Sequence, residues 1–248
     1  MKHIYVVGIG PGKPEYFTEE AMNALGDSEV IFGYTVYVDL VKPMLPEKDY
    51  RTTGMRQELE RCRLALESAA EGRTTAMICS GDAGVYGMAS PILEMAQDYP
   101  DVTVDIVAGV TSALSGGAVL GAPLTGDFCV ISLSDILTPK EKIEARLKAA
   151  ALGDFAVVLY NPSSRHRPDY LKWACDFLLE GGKSPDTVCG FVRNIGREGE
   201  EATLCTLSEL REIQVDMFTT VFIGTSETKA VGNYMVTPRG YVEKEARS

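Results

Sequence analysis

Thr74-Thr75-Ala76-Met77-Ile78-Cys79-Ser80-Gly81-Asp82-Ala83-Gly84-Val85-Tyr86-Gly87 is the stretch on which the reading of this chain turns. Residues 74–79 form a short apolar run of strand type, and three glycines follow within eight residues. A helix reads over 88–99 and a further strand over 102–107. Strand, loop, helix and strand in succession make a βαβ unit, whose sheet is parallel. Open sheets of this kind take ligands at the carboxyl ends of their strands, where this loop lies. Its glycines let a ligand approach the backbone, and Asp82 offers an acceptor for hydroxyls or an ammonium. The same aspartate also reads as an Asx-turn or helix N-cap.

Outward from this loop the pattern repeats. Residues 4–9 are an apolar run ending in Gly8-Ile9-Gly10-Pro11-Gly12. A dinucleotide fingerprint needs a glycine three residues after Gly10, where Lys13 stands, and Pro11 lacks the N–H that a phosphate cradle uses. A nicotinamide enzyme is therefore a poor fit. Thr18-Glu19-Glu20 opens a helix that Gly26 closes, and 29–32 is a strand. Met55, Leu59, Cys62 and Leu66 mark one face of a helix that Gly72 ends. Ala108-Gly109-Val110-Thr111-Ser112-Ala113 repeats the strand-end arrangement, and Thr111 starts a helix of small residues. Gly116, Gly117, Gly121, Pro123 and Gly126 read as a hinge or linker. Beyond it come a strand over 128–133, a helix opened by Pro139 with Ile143 and Leu147 inward, and a strand over 155–160. A helix lined by Leu171, Cys175 and Leu178 follows, then a hairpin of 188–193 with 203–207 and a final strand over 219–224. The expected architecture is α/β, with two units over 1–121 and 122–248, the second partly antiparallel.

The 248 residues carry 24 basic and 35 acidic side chains, a net charge of −11. A phosphate-tracking nucleic-acid binder presents a basic face instead. No apolar run reaches the length of a membrane span, and 1–5 lead directly into a strand, so a cytoplasmic protein is expected. The six cysteines form no C-x-x-C pair and read as reduced, buried thiols. With two histidines, His3 and His166, a multi-histidine metal site is unavailable, and no metal is expected. Polar residues end the apolar strands of the second half: Ser132-Leu133-Ser134-Asp135, Tyr160-Asn161-Pro162, Arg193-Asn194-Ile195-Gly196-Arg197 and Gly224-Thr225-Ser226. The arginines in these loops read either as part of a ligand site or as solvated surface charge.

Taken together, these segments resemble the S-adenosylmethionine-dependent tetrapyrrole methyltransferase family over essentially the whole chain. The shared features are Gly8-x-Gly10-Pro11-Gly12, Ser80-Gly81-Asp82, Gly109-Val110-Thr111-Ser112 and Gly121-Ala122-Pro123-Leu124. Within it the likeness is to the cobalamin-pathway branch that methylates C17 of a corrin precursor and contracts its ring. That likeness is carried by Gly33-Tyr34-Thr35-Val36-Tyr37, Thr53-Gly54-Met55-Arg56-Gln57-Glu58, residues 130–135, Tyr160-Asn161-Pro162 and residues 193–200. The resemblance implies two αβα domains with the methyl donor bound between them, in a homodimer. It implies donor contacts at Gly81, Asp82, Gly84, Val85, Thr111, Ser112, Asn161, Asn194 and Thr225, and acceptor contacts at Gly10 and Pro11. Arg56, Arg165, Arg167 and Arg193 are candidates to pair with the acceptor's carboxylate arms. Ser132, Ser134 and Asp135 are candidates for proton handling during ring contraction. Gly126 precedes Asp127-Phe128 where many relatives carry histidine, so no histidine base is named. The competing readings are methylation of RNA or protein on the same fold and a non-catalytic nucleotide-binding module.

Overall fold

The computed structural model describes residues 2–54, 56–164 and 166–241. The chain divides at Ser112/Ala113 into two compact units.

In the first unit, β1 (His3–Gly8), β2 (Val30–Tyr34), β3 (Asp49–Thr53), β4 (Thr75–Cys79) and β5 (Thr103–Val107) form a sheet of order β3-β2-β4-β1-β5. Every pairing in it is parallel. Successive side chains of a strand point to opposite faces, and both faces here are apolar, as expected for a parallel sheet covered on two sides. Ile4, Val6, Val30, Phe32, Met77 and Cys79 pack against α3 (Glu58–Ala70) and α4 (Ala89–Met95). Val7, Ile9, Ile31, Ala76 and Ile78 pack against α1 (Glu19–Asp27) and α2 (Thr35–Val41). Thr18 caps α1, its hydroxyl accepting from the Ala21 N–H at 3.0 Å. The buried face of α3 holds Cys62 and Leu66, but Leu59 is 66% exposed, and Met55 lies outside the described residues. Leu59 stands in the first turn of the helix, off the inward stripe that Cys62, Ala65, Leu66 and Ala69 form.

In the second unit, β7 (Phe128–Ser132), β8 (Ala156–Tyr160), β9 (Val188–Arg193), β10 (Glu201–Thr206) and β11 (Thr219–Ile223) form a sheet of order β10-β9-β11-β8-β7. β7 and β8 are parallel, and the other three pairings are antiparallel. One face packs on α6 (Lys140–Leu152), α7 (Tyr170–Glu180) and α8 (Leu207–Leu210), with Ile143, Leu147, Leu171, Cys175 and Leu178 buried. The other packs Val158, Val192 and Phe222 on Ala113 and Leu120 of α5 (Ser112–Leu120) and on Met235.

The glycine-rich stretch is not a linker. Gly116 and Gly117 are buried within α5, because a bare backbone there lets Phe222 and Ile195 close on the helix. Gly121 opens β6 (Gly121–Ala122), which pairs with β13 (Tyr234–Val236), itself in a hairpin with β12 (Lys229–Val231). The strand over 219–224 is thus not the last. Two three-residue strands leave too short a pattern to read. Among the described residues no helix is long and apolar enough to cross a membrane.

Candidate functional site

The connections of the first unit run in two directions. From β1 through α1 to β2, and through α2 to β3, the chain moves one way across the sheet on one face. Through α3 to β4 and α4 to β5 it moves back on the other. The loops after the neighbouring strands β1 and β4 therefore leave on opposite faces, which is the geometry of a topological switch point. Here they are joined backbone to backbone: the Gly10 N–H donates to the Gly81 carbonyl at 3.0 Å and the Gly81 N–H to the Gly10 carbonyl at 2.8 Å. Gly109, after β5, closes the group. A Cβ there would stand 2.2 Å from the Gly81 carbonyl oxygen and 2.6 Å from the Gly8 carbonyl carbon, so no side chain fits.

Asp82 fixes this arrangement. One carboxylate oxygen accepts from the Gly84 N–H at 2.8 Å and the other from the Gly109 N–H at 2.9 Å. The first bond is the Asx-turn that the sequence allowed. The second ties two strand-end loops together. Each oxygen has a second lone-pair direction, so acceptor capacity remains for a ligand. Gly84 is exposed and Val85, Thr111 and Ser112 are half-buried, whereas Gly10 and Pro11 are buried. Thr111 lies against Gly81, its Cα 3.5 Å from where a Cβ would be.

In the second unit the strand ends separate the expected residues into two groups. β7 and β8 run in register, Ser132 beside Tyr160, and the end of β9 pairs with the start of β11. Ser132, Ser134, Asp135, Asn161 and Asn194 therefore gather at one end of the sheet. Thr225 follows β11, whose end pairs with the start of β8, so it lies at the opposite end. Five residues of strand, roughly 16 Å, separate the two ends.

The Asn161 amide donates to the Ser132 hydroxyl at 2.9 Å, and the same oxygen accepts from the Ser134 N–H at 3.2 Å. Asp135 accepts from the Tyr170 hydroxyl at 2.6 Å and from Arg167 at 3.4 Å. The Tyr170 bond is the main cause that holds the Asp135 carboxyl below the usual range, with Arg167 and Lys140 adding to it. An aspartate kept ionised this way positions its neighbours better than it donates a proton. Sequence reasoning did not find Tyr170, which lies 35 residues from Asp135 with no motif joining them.

Two of the four candidate arginines, Arg167 and Arg193, are committed to partners within the fold. Arg167 also donates to the Ser164 hydroxyl at 3.2 Å, and Arg193 pairs with Asp216 at 2.8 Å. Burial opposes ionisation of Asp216, but Arg193 and the Phe218 N–H hold its carboxyl below the ordinary range. Arg56 is exposed, and Arg165 lies outside the described residues.

Among the described residues, five other than glycine occupy the left-handed region: Arg56, Tyr86, Asp154, Asn161 and Asn194, with φ between 52° and 66°. Asparagine and aspartate adopt it readily, but for tyrosine and arginine it is strained. Four of the five sit in the loops already singled out, where strained backbone concentrates in functional proteins. The cysteines offer no nucleophile. All six are free, and burial pushes Cys79 and Cys175 up to about 12 and Cys62 and Cys205 up to about 11.

The sequence profile of the tetrapyrrole (corrin/porphyrin) methylases matches residues 3–211. A protein of Salmonella typhimurium named probable cobalt-factor III C(17)-methyltransferase is 45% identical over 95% of this chain and 98% of its own length. The crystal structure of the methyltransferase CobJ superposes with a TM-score of 0.87 at 37% identity, covering 95% of this chain and 99% of that one. A uroporphyrin-III C-methyl transferase from Thermus thermophilus, crystallised with S-adenyl homocysteine, shares the fold with a TM-score of 0.70 at 24% identity, covering 90% and 97%. The chain belongs to the tetrapyrrole (corrin/porphyrin) methylase family.

Proposed function

We propose that this protein transfers a methyl group from S-adenosylmethionine to C17 of a tetrapyrrole of the precorrin-3B or cobalt-factor III type, with contraction of the ring, in cobalamin biosynthesis. The observation that carries this reading is identity of 45% spread over nearly the full length of a cobalt-factor III C(17)-methyltransferase. S-adenosylmethionine supplies an electrophilic methyl group on a sulfonium. The loops at the carboxyl ends of β1, β4 and β5 suit such a donor. Their glycines bring bare backbone to the ligand, and Asp82 retains lone pairs for its hydroxyls or ammonium. Asn161 and Asn194 are the second-unit candidates for donor contacts. Thr225, the remaining candidate, lies at the other end of their sheet.

The acceptor carbon is already nucleophilic through its conjugated pyrrole nitrogens. The residues therefore aim the carbon and exclude water rather than abstract a proton. Ring contraction needs proton movement as well, for which Ser132 and Ser134 are the candidates and Asp135 the residue that holds their loop. A second copy of the chain is the expected partner, and six free thiols suit a reducing compartment such as the cytoplasm. The test is incubation with S-adenosylmethionine and cobalt-factor III, followed by mass and absorption analysis. Gain of one methyl group and the spectrum of a contracted ring are expected. Turnover of RNA or protein and none of the tetrapyrrole would reject the proposal.

A further inference from the structure

Arg61, on α3, is 4% exposed. A guanidinium carries five N–H donors and a fixed charge. Among the described residues it makes one hydrogen bond, from Nη1 to the Thr53 carbonyl at the long distance of 3.5 Å. No carboxylate among those residues lies within ion-pair range of it. Glu58, one turn away, accepts from the Arg56 N–H instead. Beside it, the Thr53 hydroxyl is buried and has no partner among the described residues. A buried charge without a counter-ion and an unpartnered hydroxyl thus meet at the carboxyl end of β3, on the sheet edge that carries the loops proposed for the donor. The Arg61 charge also opposes the rise that burial imposes on the Cys79 thiol at the end of β4. Buried charges are otherwise paired, because an uncompensated one is costly. The neighbouring Gly54, Arg56 and Gln57 are exposed, so this corner borders solvent.

We infer that Arg61 and Thr53 form a carboxylate-binding subsite, with the guanidinium fork taking both oxygens and the Thr53 hydroxyl donating to one. Its occupant is a carboxylate arm of the tetrapyrrole acceptor, an assignment that rests on the function proposed above. β3 lies two strands from β4, away from the Gly10–Gly81–Gly109 contact, which favours the acceptor over the amino-acid end of the donor.

Arg61→Met and Arg61→Lys test this with three readouts. In the ligand-free protein, Arg61→Met should melt at the wild-type temperature or above it, since it removes an unpaired buried charge. A fall of many degrees would make Arg61 a structural tie and overturn the inference. In turnover, Arg61→Met should raise KM for the tetrapyrrole about 10- to 100-fold, with kcat within about threefold and partial recovery in Arg61→Lys. Affinity for S-adenosylhomocysteine, by calorimetry, should not change. An equal loss there would assign the subsite to the donor and reject the acceptor, and an unchanged KM would also reject it. Sodium glutarate, against chloride of equal ionic strength, should raise the melting temperature of wild type and not of Arg61→Met. Should wild type methylate no tetrapyrrole, the function fails while this selective stabilisation still supports the subsite. Its absence removes the subsite whatever the reaction.

Discussion

Asp82 accepts backbone hydrogen bonds from both sides, so replacing it tests more than ligand binding. Asp82→Ala removes two bonds to a carboxylate and is expected to cost about 2 kcal/mol of stability by urea unfolding. Donor affinity should fall with it, because the Gly84 and Gly109 loops lose their tie. Asp82→Asn keeps one acceptor oxygen and should lie between the two. Gly109→Ala should be worse than either. Its Cβ meets main-chain atoms of Gly81 and Gly8 that cannot step aside, so little soluble protein is expected. The Asp135–Tyr170 bond carries a pH signature. A carboxyl held below its ordinary range contributes stability that is complete above the unfolded-state value and is lost as pH falls through the folded one. Tyr170→Phe should therefore destabilise by about 1 kcal/mol at neutral pH. Its difference from wild type should shrink on acidification below the usual carboxylate range, as pH-dependent thermal melting would show.

At the scale of elements, α5 is the helix that glycine makes possible. Gly116→Ala gains about 1 kcal/mol of helix propensity. Against that, its Cβ stands 2.8 Å from the Ile195 terminal methyl and 2.9 Å from the Phe222 ring. Overpacking costs about 1–3 kcal/mol, so the expected net is a destabilisation of up to about 2 kcal/mol, and Gly116→Val should lose more. The same residues show where sequence reading ends. Gly116 and Gly117 carry a loop composition, and only the packed ring of Phe222 reveals why they are helical. α2 was missed because seven residues with Thr35, Val36, Val38 and Val41 hold no helical signal. β3, Asp49–Thr53, was missed because a polar edge strand shows neither an apolar run nor alternation. By contrast β1, β4, β5, β8 and β9 announce themselves as apolar runs that end in glycine or polar residues. The strand-end loops of the candidate site were legible for that reason. The partners of their side chains were not, since Tyr170 and Asp216 reach Asp135 and Arg193 only through the fold.

For the whole molecule, the net charge of −11 opposes approach of a polycarboxylate acceptor. Raising ionic strength from about 10 to 150 mM shortens the screening length from about 30 to 8 Å. kcat/KM for the tetrapyrrole should then rise severalfold, while donor affinity changes little; a steep fall would mean that a local basic field governs capture. The topology of the first unit also has a consequence for synthesis. β1 leaves the ribosome before the other strands of its sheet, yet its neighbours are β4 and β5, with Ile4 beside Thr75 and His3 beside Thr103. At about 5–20 residues per second, β1 waits several seconds or longer for its partners. Throughout that interval Ile4, Val6, Val7 and Ile9, all fully buried in the finished fold, have no sheet to enter. A nascent chain arrested before Thr75 should bind a hydrophobic dye or a chaperone strongly, one arrested well past Ser112 should bind far less, and replacing Val6 with lysine should weaken the capture of the shorter chain.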